Sequence, residues 1–268
     1  MNFHLPTVAF TDLDDTLFST LRKQNSAERN LDTELRSGAE LRPQAYLKDG
    51  APISYSNGKQ RALQQCLANA TRVIPVTARS ISAFKRVDIA FNSYAVVSHG
   101  ACVLLPDGTP DLSWQGQMQV LLEAARVPLG DALKVLINSA QNAHGALRVT
   151  LVEEHGQALY ALVKHNDADE AAIAELASAC ARPWVDANTG FQLHVNGNNL
   201  AIIPPGINKA AAARYVAARL AEELGEFVSI GMGDSLTDGG FMLDCDYCLL
   251  PSGSQLGRAL RAQLADVL

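Results

Sequence analysis

Apolar residues along the chain fall into short runs that alternate with helical stripes. Thr7-Val8-Ala9-Phe10 is a β-prone run that predicts a buried strand, and it ends in Thr11-Asp12-Leu13-Asp14-Asp15-Thr16. Residues 20 to 56 are polar and charged by contrast. Within them Asp49-Gly50 stands between Gln44-Ala45-Tyr46-Leu47 and Pro52-Ile53-Ser54-Tyr55, which predicts a hairpin. Residues 58 to 69 read as a helix, with Ala62, Leu63, Cys66 and Leu67 on one stripe and Asn57 as N-cap. A second buried strand, Arg72 to Val76, ends at Thr77-Ala78-Arg79-Ser80, and Pro75 places it near a sheet edge or at a strand end. A third, Tyr94 to Val97, ends at Ser98-His99-Gly100-Ala101 and continues through Cys102-Val103-Leu104-Leu105 to the turn Asp107-Gly108.

The rhythm then changes. Residues 115 to 145 look helical, 147 to 164 look like a hairpin turning near His155-Gly156, and Asp167 to Cys180 is an Ala-rich helix with an acidic first turn. Residues 183 to 203 return to strand character. That order is an α+β unit set into a β-α-β frame. The frame resumes with a helix from Lys209 to Leu224, a stop at Gly225 and a fourth strand, Phe227 to Ile230. That strand ends at Gly231-Met232-Gly233-Asp234-Ser235-Leu236-Thr237-Asp238. Tyr247 to Leu250 and a helix from about Ser254 follow. The expected fold is α/β, a doubly wound, mostly parallel Rossmann-like core sheet with an inserted α+β domain. Residues 1–111 and 199–268 would form the core and 112–198 the insert.

Composition narrows the classes. With 48% hydrophobic residues in 268, the chain can build a substantial core, which excludes wholesale disorder. A formal net charge of −6 disfavours nucleic acid as a partner, so anionic ligands would need a local site or a bound cation. No apolar run approaches a membrane span, and MNFHLPTVAF lacks a cationic start, so a cytoplasmic protein, a monomer or small homo-oligomer, is expected. The five cysteines are scattered and odd in number, and Cys245 and Cys248 form a lone CxxC that reads as two small buried residues.

The chemistry gathers at strand ends, where open parallel sheets bind ligands. Asp12 and Asp14 follow the first strand, Thr77 the second and Asp234 with Asp238 the fourth, while Lys209 opens a late helix. Converging carboxylates need a cation, and an all-oxygen set favours Mg²⁺ over zinc. Thr77 and Lys209 suit phosphoryl oxygens. Asp12 is then free to attack phosphorus, and Asp14 to protonate the leaving oxygen and later deprotonate water. Taken singly, the pentad also fits a capped turn and Gly233-Asp234-Ser235 an ordinary turn; their joint order carries the signal.

That order resembles the haloacid dehalogenase superfamily of phosphatases. Asp12-Leu13-Asp14-Asp15-Thr16 matches its DxDx[TV] motif, Thr77 its second motif and Lys209 its third. Gly233-Asp234-Ser235-Leu236-Thr237-Asp238 matches its GDxxxD motif. The insert stands where the family's type C2 cap occurs. Thr77-Ala78-Arg79, Ser98-His99-Gly100-Ala101 and Pro205-Gly206-Ile207-Asn208-Lys209 resemble segments of its Cof and sucrose-phosphatase-like branch, with Ala78 for Gly and His99 for Asn. The resemblance implies a Mg²⁺-dependent phosphatase acting on a small phosphorylated metabolite, a sugar phosphate. Asp12 would be nucleophile and metal ligand. Asp14 would be acid/base, with its carbonyl on the metal. Asp234 and Asp238 would complete the metal site, Thr77 and Lys209 would bind phosphate, and Ser235 would orient a metal-bound water. Arg79, His99, Trp184 and His194 are candidate substrate contacts, with the cap closing over the crevice. A sugar phosphomutase and a non-catalytic phospho-acceptor or ligand-binding protein are the alternatives.

Overall fold

A computed structural model describes residues 5–28, 41–141 and 146–265. Part of the polar stretch, 29–40, and the expected end of the long helix, 142–145, lie outside the described residues. The chain divides into two compact units, Met1–Asp111 with Lys209–Leu268, and Leu112–Asn208.

The first unit opens with strand β1 (Thr7–Thr11), whose Val8, Ala9 and Phe10 are buried, as a strand covered on both faces requires. Strand β2 (Ser19–Thr20) and helix α1 (Leu21–Glu28) follow. Strands β3 (Arg42–Tyr46) and β4 (Pro52–Ser56) form the expected hairpin, with Gly50 at a φ of 84° in its turn. Helix α2 (Gly58–Leu67) begins with a capping box. The Asn57 side chain accepts from the Gln60 N–H at 3.0 Å, and the Gln60 side chain accepts from the Asn57 N–H at 3.1 Å. Strand β5 (Arg72–Pro75) is followed by Val76, whose N–H donates to the Thr11 carbonyl at 2.8 Å and carries the pairing with β1 past Pro75. Helix α3 (Ile81–Phe84) and strands β6 (Ala95–Val97) and β7 (Cys102–Leu104) complete this segment.

The second unit contains helix α4 (Leu112–Gln141), strands β8 (Leu147–Glu154) and β9 (Gln157–His165), helices α5 (Glu170–Leu176) and α6 (Arg182–Ala187), and strands β10 (Gln192–Asn196) and β11 (Asn199–Ile203). Its antiparallel sheet runs β10-β11-β9-β8 among the described residues. Leu129 and Leu136 of α4 pack on Val163, Ile173 and Leu200 to form its core. Two expectations are corrected here. The Ala-rich helix does not end at Cys180; a π-helical turn over Ala177–Ala181 leads into α6, so residues 183–187 are helical rather than strand. Trp184 and Val185 are strand-favouring types, but they lie with Pro183 in the first turn of α6. The boundary expected after residue 198 would cut the β10–β11 hairpin. Asn199–Ile203 pairs with both β10 and β9, so the unit continues to Asn208.

Helix α7 (Lys209–Leu224), strand β12 (Val228–Met232), helix α8 (Gly239–Leu243), strand β13 (Tyr247–Leu249) and helix α9 (Gln255–Ala265) return to the first unit. Gly225 ends α7 at a φ of 73°. Among the described residues the core sheet is parallel, in the order β13-β12-β1-β5, and a parallel bridge from Val76 to Val96 leads on to β6. The expected core fold is thus present. The cysteine expectation fails. Cys248 is exposed and Cys245 only half-buried, because β13 lies at the sheet edge, and burial pushes the Cys245 thiol up to about 12. Among the described residues no helix is long and apolar enough to cross a membrane.

Candidate active site

β1 has β5, its successor among the core strands, on one side and β12, from the far end of the chain, on the other. The winding reverses between β1 and β12. The carboxyl ends of strands flanking such a reversal leave a crevice. Asp12 follows β1 there, and its N–H donates to the Met232 carbonyl at 2.8 Å, extending the parallel ladder by one residue. Asp234 follows β12 across a single glycine. A Cβ on Gly233 would lie 2.4 Å from the Asp238 Cβ, so only glycine lets Asp238 fold back against this turn.

Asp238 organises that turn. It is fully buried, and its Oδ2 accepts from the Asp234 N–H at 3.3 Å, the Ser235 N–H at 2.9 Å and the Ser235 hydroxyl at 2.6 Å. Its Oδ1 accepts from Lys209 Nζ at 2.7 Å. Ser235 is therefore committed to the turn. Lys209 is buried at the start of α7, and its Nζ also donates to Asp12 Oδ1 at 2.7 Å. One ammonium thus joins the end of β1 to the turn after β12.

Charges in this pocket do not balance. Asp12, Asp234 and Asp238 are buried, and one carboxylate oxygen from each lies within 4.8 Å of the others. Lys209 offsets one negative charge of three. Burial raises the Asp12 carboxyl well above its ordinary value; Lys209 opposes this, while Asp238, Asp234 and Asp14 add to it. Asp234 is pushed up to about 7 by burial and by the charges of Asp238 and Asp15. Burial also works against the charge on Asp238, but Lys209 and the Ser235 donors outweigh it and leave that carboxyl below the usual range. Asp12 and Asp238 do the same for Lys209, holding its ammonium protonated beyond the ordinary lysine range despite burial. Among the described residues no donor to the Asp234 carboxylate is recorded. The set is all oxygen, without His or Cys, and carries excess negative charge, so it fits Mg²⁺ and does not fit a zinc site.

Asp14 stands apart from this cluster. The backbone turns sharply after it, with Asp15 at a φ of 63° and the Leu17 N–H on the Leu13 carbonyl at 2.9 Å. The Asp14 carboxylate accepts a two-pronged pair from Arg79, Nε to Oδ2 at 2.7 Å and Nη2 to Oδ1 at 2.8 Å. The Arg79 guanidinium also lies over the Phe18 ring, 5.1 Å from its centroid. Lys23 pairs with Asp15. Sequence reasoning missed the Arg79–Asp14 pair, since its partners are 65 residues apart; the only available signal was their common placement at strand ends.

Thr77 is buried just past β5, and its hydroxyl accepts from the Arg79 N–H at 3.1 Å. The Ser98–Gly100 turn is stitched to the same loop. The Ser98 N–H donates to the Arg79 carbonyl at 2.7 Å and the His99 N–H to the Thr77 carbonyl at 3.1 Å. Asp12, Thr77, Lys209, Asp234 and Asp238 all belong to the first unit, as do Asp14, Arg79 and His99.

No model of a protein family matches the chain, and no curated protein does. Solved structures do. A Thermoplasma acidophilum protein is 12% identical with a TM-score of 0.50, over 96% of this chain and 90% of that one. A Bacteroides thetaiotaomicron phosphatase of the haloalkanoate (HAD) superfamily is 14% identical with a TM-score of 0.43, over 97% and 96%. The sucrose-phosphatase of Synechocystis, solved with sucrose and phosphate, is 15% identical with a TM-score of 0.47, over 97% and 98%. At these identities the likeness is one of fold, and it extends over 96% of the chain for the Thermoplasma acidophilum structure.

The two residues that differ from the resembled segments, His99 and Ala78, have a backbone explanation. Ser98, His99 and Gly100 have φ values of 52°, 60° and 97°. Among non-glycine residues, Asn and His are both enriched in this left-handed region, so His99 keeps the backbone that Asn would give. Ala78 has no positive φ, so glycine is not required there. Trp184 and His194 belong to the second unit. Trp184 packs against that unit's core, edge-on to Phe191 with ring centroids 5.0 Å apart. His194 lies on β10 opposite Ala201.

Proposed function

We propose that the protein is a Mg²⁺-dependent phosphomonoester hydrolase that works through an aspartyl-phosphate on Asp12. The observation that carries this reading is the buried Lys209 joining Asp12 to Asp238, with Asp234 beside them, at the reversal point of a parallel sheet. A phosphoryl group is the anion such a site suits. A carboxylate nucleophile, a fixed cation and oxygen ligands for a hard metal converge where the fold opens.

Asp12 attacks phosphorus as the bond to the leaving oxygen breaks. Asp14 gives that oxygen a proton, then takes one from the water that attacks phosphorus and frees Asp12. Thr77 and Lys209 hold the phosphoryl oxygens. Asp12, Asp234 and the Asp14 carbonyl hold Mg²⁺, which when bound offsets phosphoryl charge, and Asp238 fixes Asp234 and Lys209 in place. The substrate in this reading is a small phosphorylated metabolite, a sugar phosphate. The segments shared with the sucrose-phosphatase-like branch support that class, and the second unit would read the leaving group.

Phosphate release over a panel of phosphorylated metabolites tests the proposal. Release should require Mg²⁺, stop in EDTA and be abolished in Asp12→Asn with the melting transition intact. Full turnover in EDTA or in Asp12→Asn would refute it.

A further inference from the structure

Arg79 does something the proposed chemistry has not yet used. Its stem is fixed by its own loop, where the N–H donates to Thr77 Oγ1 and the carbonyl accepts from Ser98. Its guanidinium is largely buried, lies on the Phe18 ring and forks onto both oxygens of Asp14. Asp14 itself is more than a third exposed and outside the acidic cluster, so Arg79 is what holds its carboxylate in one place. A planar fork on both oxygens fixes orientation as well as distance, which a lysine cannot do.

We propose that Arg79 is a positioning residue for proton transfer by Asp14, rather than a direct contact to substrate. This rests on the phosphatase reading above. As Asp14 gives its proton to the leaving oxygen, its carboxylate gains negative charge, and the Arg79 fork is already aimed at both oxygens that share it. In the second half-reaction the same fork keeps the carboxylate turned toward the attacking water while it accepts the proton. Phe18 keeps the guanidinium in plane. A bystander that only braces the loop would affect every substrate alike. A residue acting through the general acid matters most where the leaving oxygen needs a proton.

The experiment is a leaving-group series on the Mg²⁺-loaded full chain. kcat/KM is measured for aryl phosphates of graded leaving-group acidity and for one alkyl phosphate. The proteins are wild type, Arg79→Met, Arg79→Lys, Asp14→Asn and the Arg79→Met/Asp14→Asn double variant. Methionine keeps an unbranched apolar side chain in place of the stem and removes the guanidinium, and with it both the fork and the contact on Phe18. Arg79→Met should lose about 100-fold on the alkyl phosphate but only about fivefold on p-nitrophenyl phosphate, whose leaving group needs little protonation. Its rates should fall more steeply with leaving-group pKa than those of wild type. The double variant should be no worse than Asp14→Asn, because both changes remove one function. Added methylguanidinium should restore part of the alkyl phosphate activity in Arg79→Met. Equal losses on every substrate, or losses that multiply in the double variant, would overturn the proposal. If Arg79→Met misfolds, Arg79→Lys gives the same readout, since it retains charge without the fork. Absence of phosphate release from wild type would instead remove the phosphatase reading itself.

Discussion

Lys209→Met removes the one ammonium that joins two buried carboxylates. The methionine fills similar space, so packing changes little and the electrostatic loss is isolated. Asp12 and Asp238 each lose a charged donor at 2.7 Å, and Lys209 is only 8% exposed, so water does not replace it easily. Removing one partner of a buried ion pair costs about 3–5 kcal/mol. At roughly 2–4 °C per kcal/mol for a unit of this size, a loss near 4 kcal/mol lowers the melting transition of the first unit by about 8–16 °C in EDTA. Mg²⁺ should recover part of that loss, because a divalent cation would supply positive charge to the same carboxylate cluster. Inhibition by inorganic phosphate should weaken by at least an order of magnitude, since a charge-assisted contact of about 1.5–3 kcal/mol is gone. The assays are thermal melts with EDTA or Mg²⁺ and inhibition of hydrolysis by phosphate. A variant that melts with the wild type in EDTA and keeps its phosphate inhibition would refute the reasoning.

Two further outcomes follow from the same cluster. Asp234 is raised from 3.8 to about 7, so its carboxylate is disfavoured in the folded, metal-free protein. Its contribution is then present at low pH and lost as pH rises from about 4 toward 7, a few kcal/mol by linkage. Denaturation in EDTA at pH 5 and pH 8 should show the lower stability at pH 8, and Mg²⁺ should narrow the difference; a metal-free protein more stable at pH 8 would contradict it. Gly233→Ala should displace Asp238 through the 2.4 Å approach of the new Cβ and cost about 1–3 kcal/mol, with loss of turnover. A titration of Mg²⁺ by calorimetry should show weakened binding, and unchanged binding and melting would show that the turn relaxes freely.

Much of this site was legible because its signals are local. An apolar strand followed by Asp12 and Asp14, a strand ending at Thr77 and a glycine before Asp234 each read directly from neighbouring residues. Parallel pairing then gathers them, since β1 lies between β5 and β12. The Arg79–Asp14 fork was not legible, because no pattern within either segment points to the other. Nor were the donors around Asp238, which sequence reasoning weighed as a metal ligand or as support for one: it accepts three donors from its own turn and one from Lys209. Helix α6 escaped because Trp184 and Val185 are strand-favouring types, and packing in the second unit decides against that. The split of the units escaped by ten residues, because a hairpin strand such as β11 looks the same in sequence whichever sheet it joins.

β1 is the central strand of the core sheet, yet its partner β12 belongs to the far end of the chain. Thr11 pairs with Met232, so about 220 residues must leave the ribosome between them. At about 5–20 residues per second, synthesis keeps one edge of β1 open for on the order of ten to forty seconds. During that time Val8 and Phe10 lack their final cover, and an unpaired apolar edge is a template for other nascent strands. The second unit, continuous in sequence, can form in that interval. The segment that brings Lys209 and β12 therefore closes the sheet and assembles the carboxylate site in one late event, so a truncated product lacks both together.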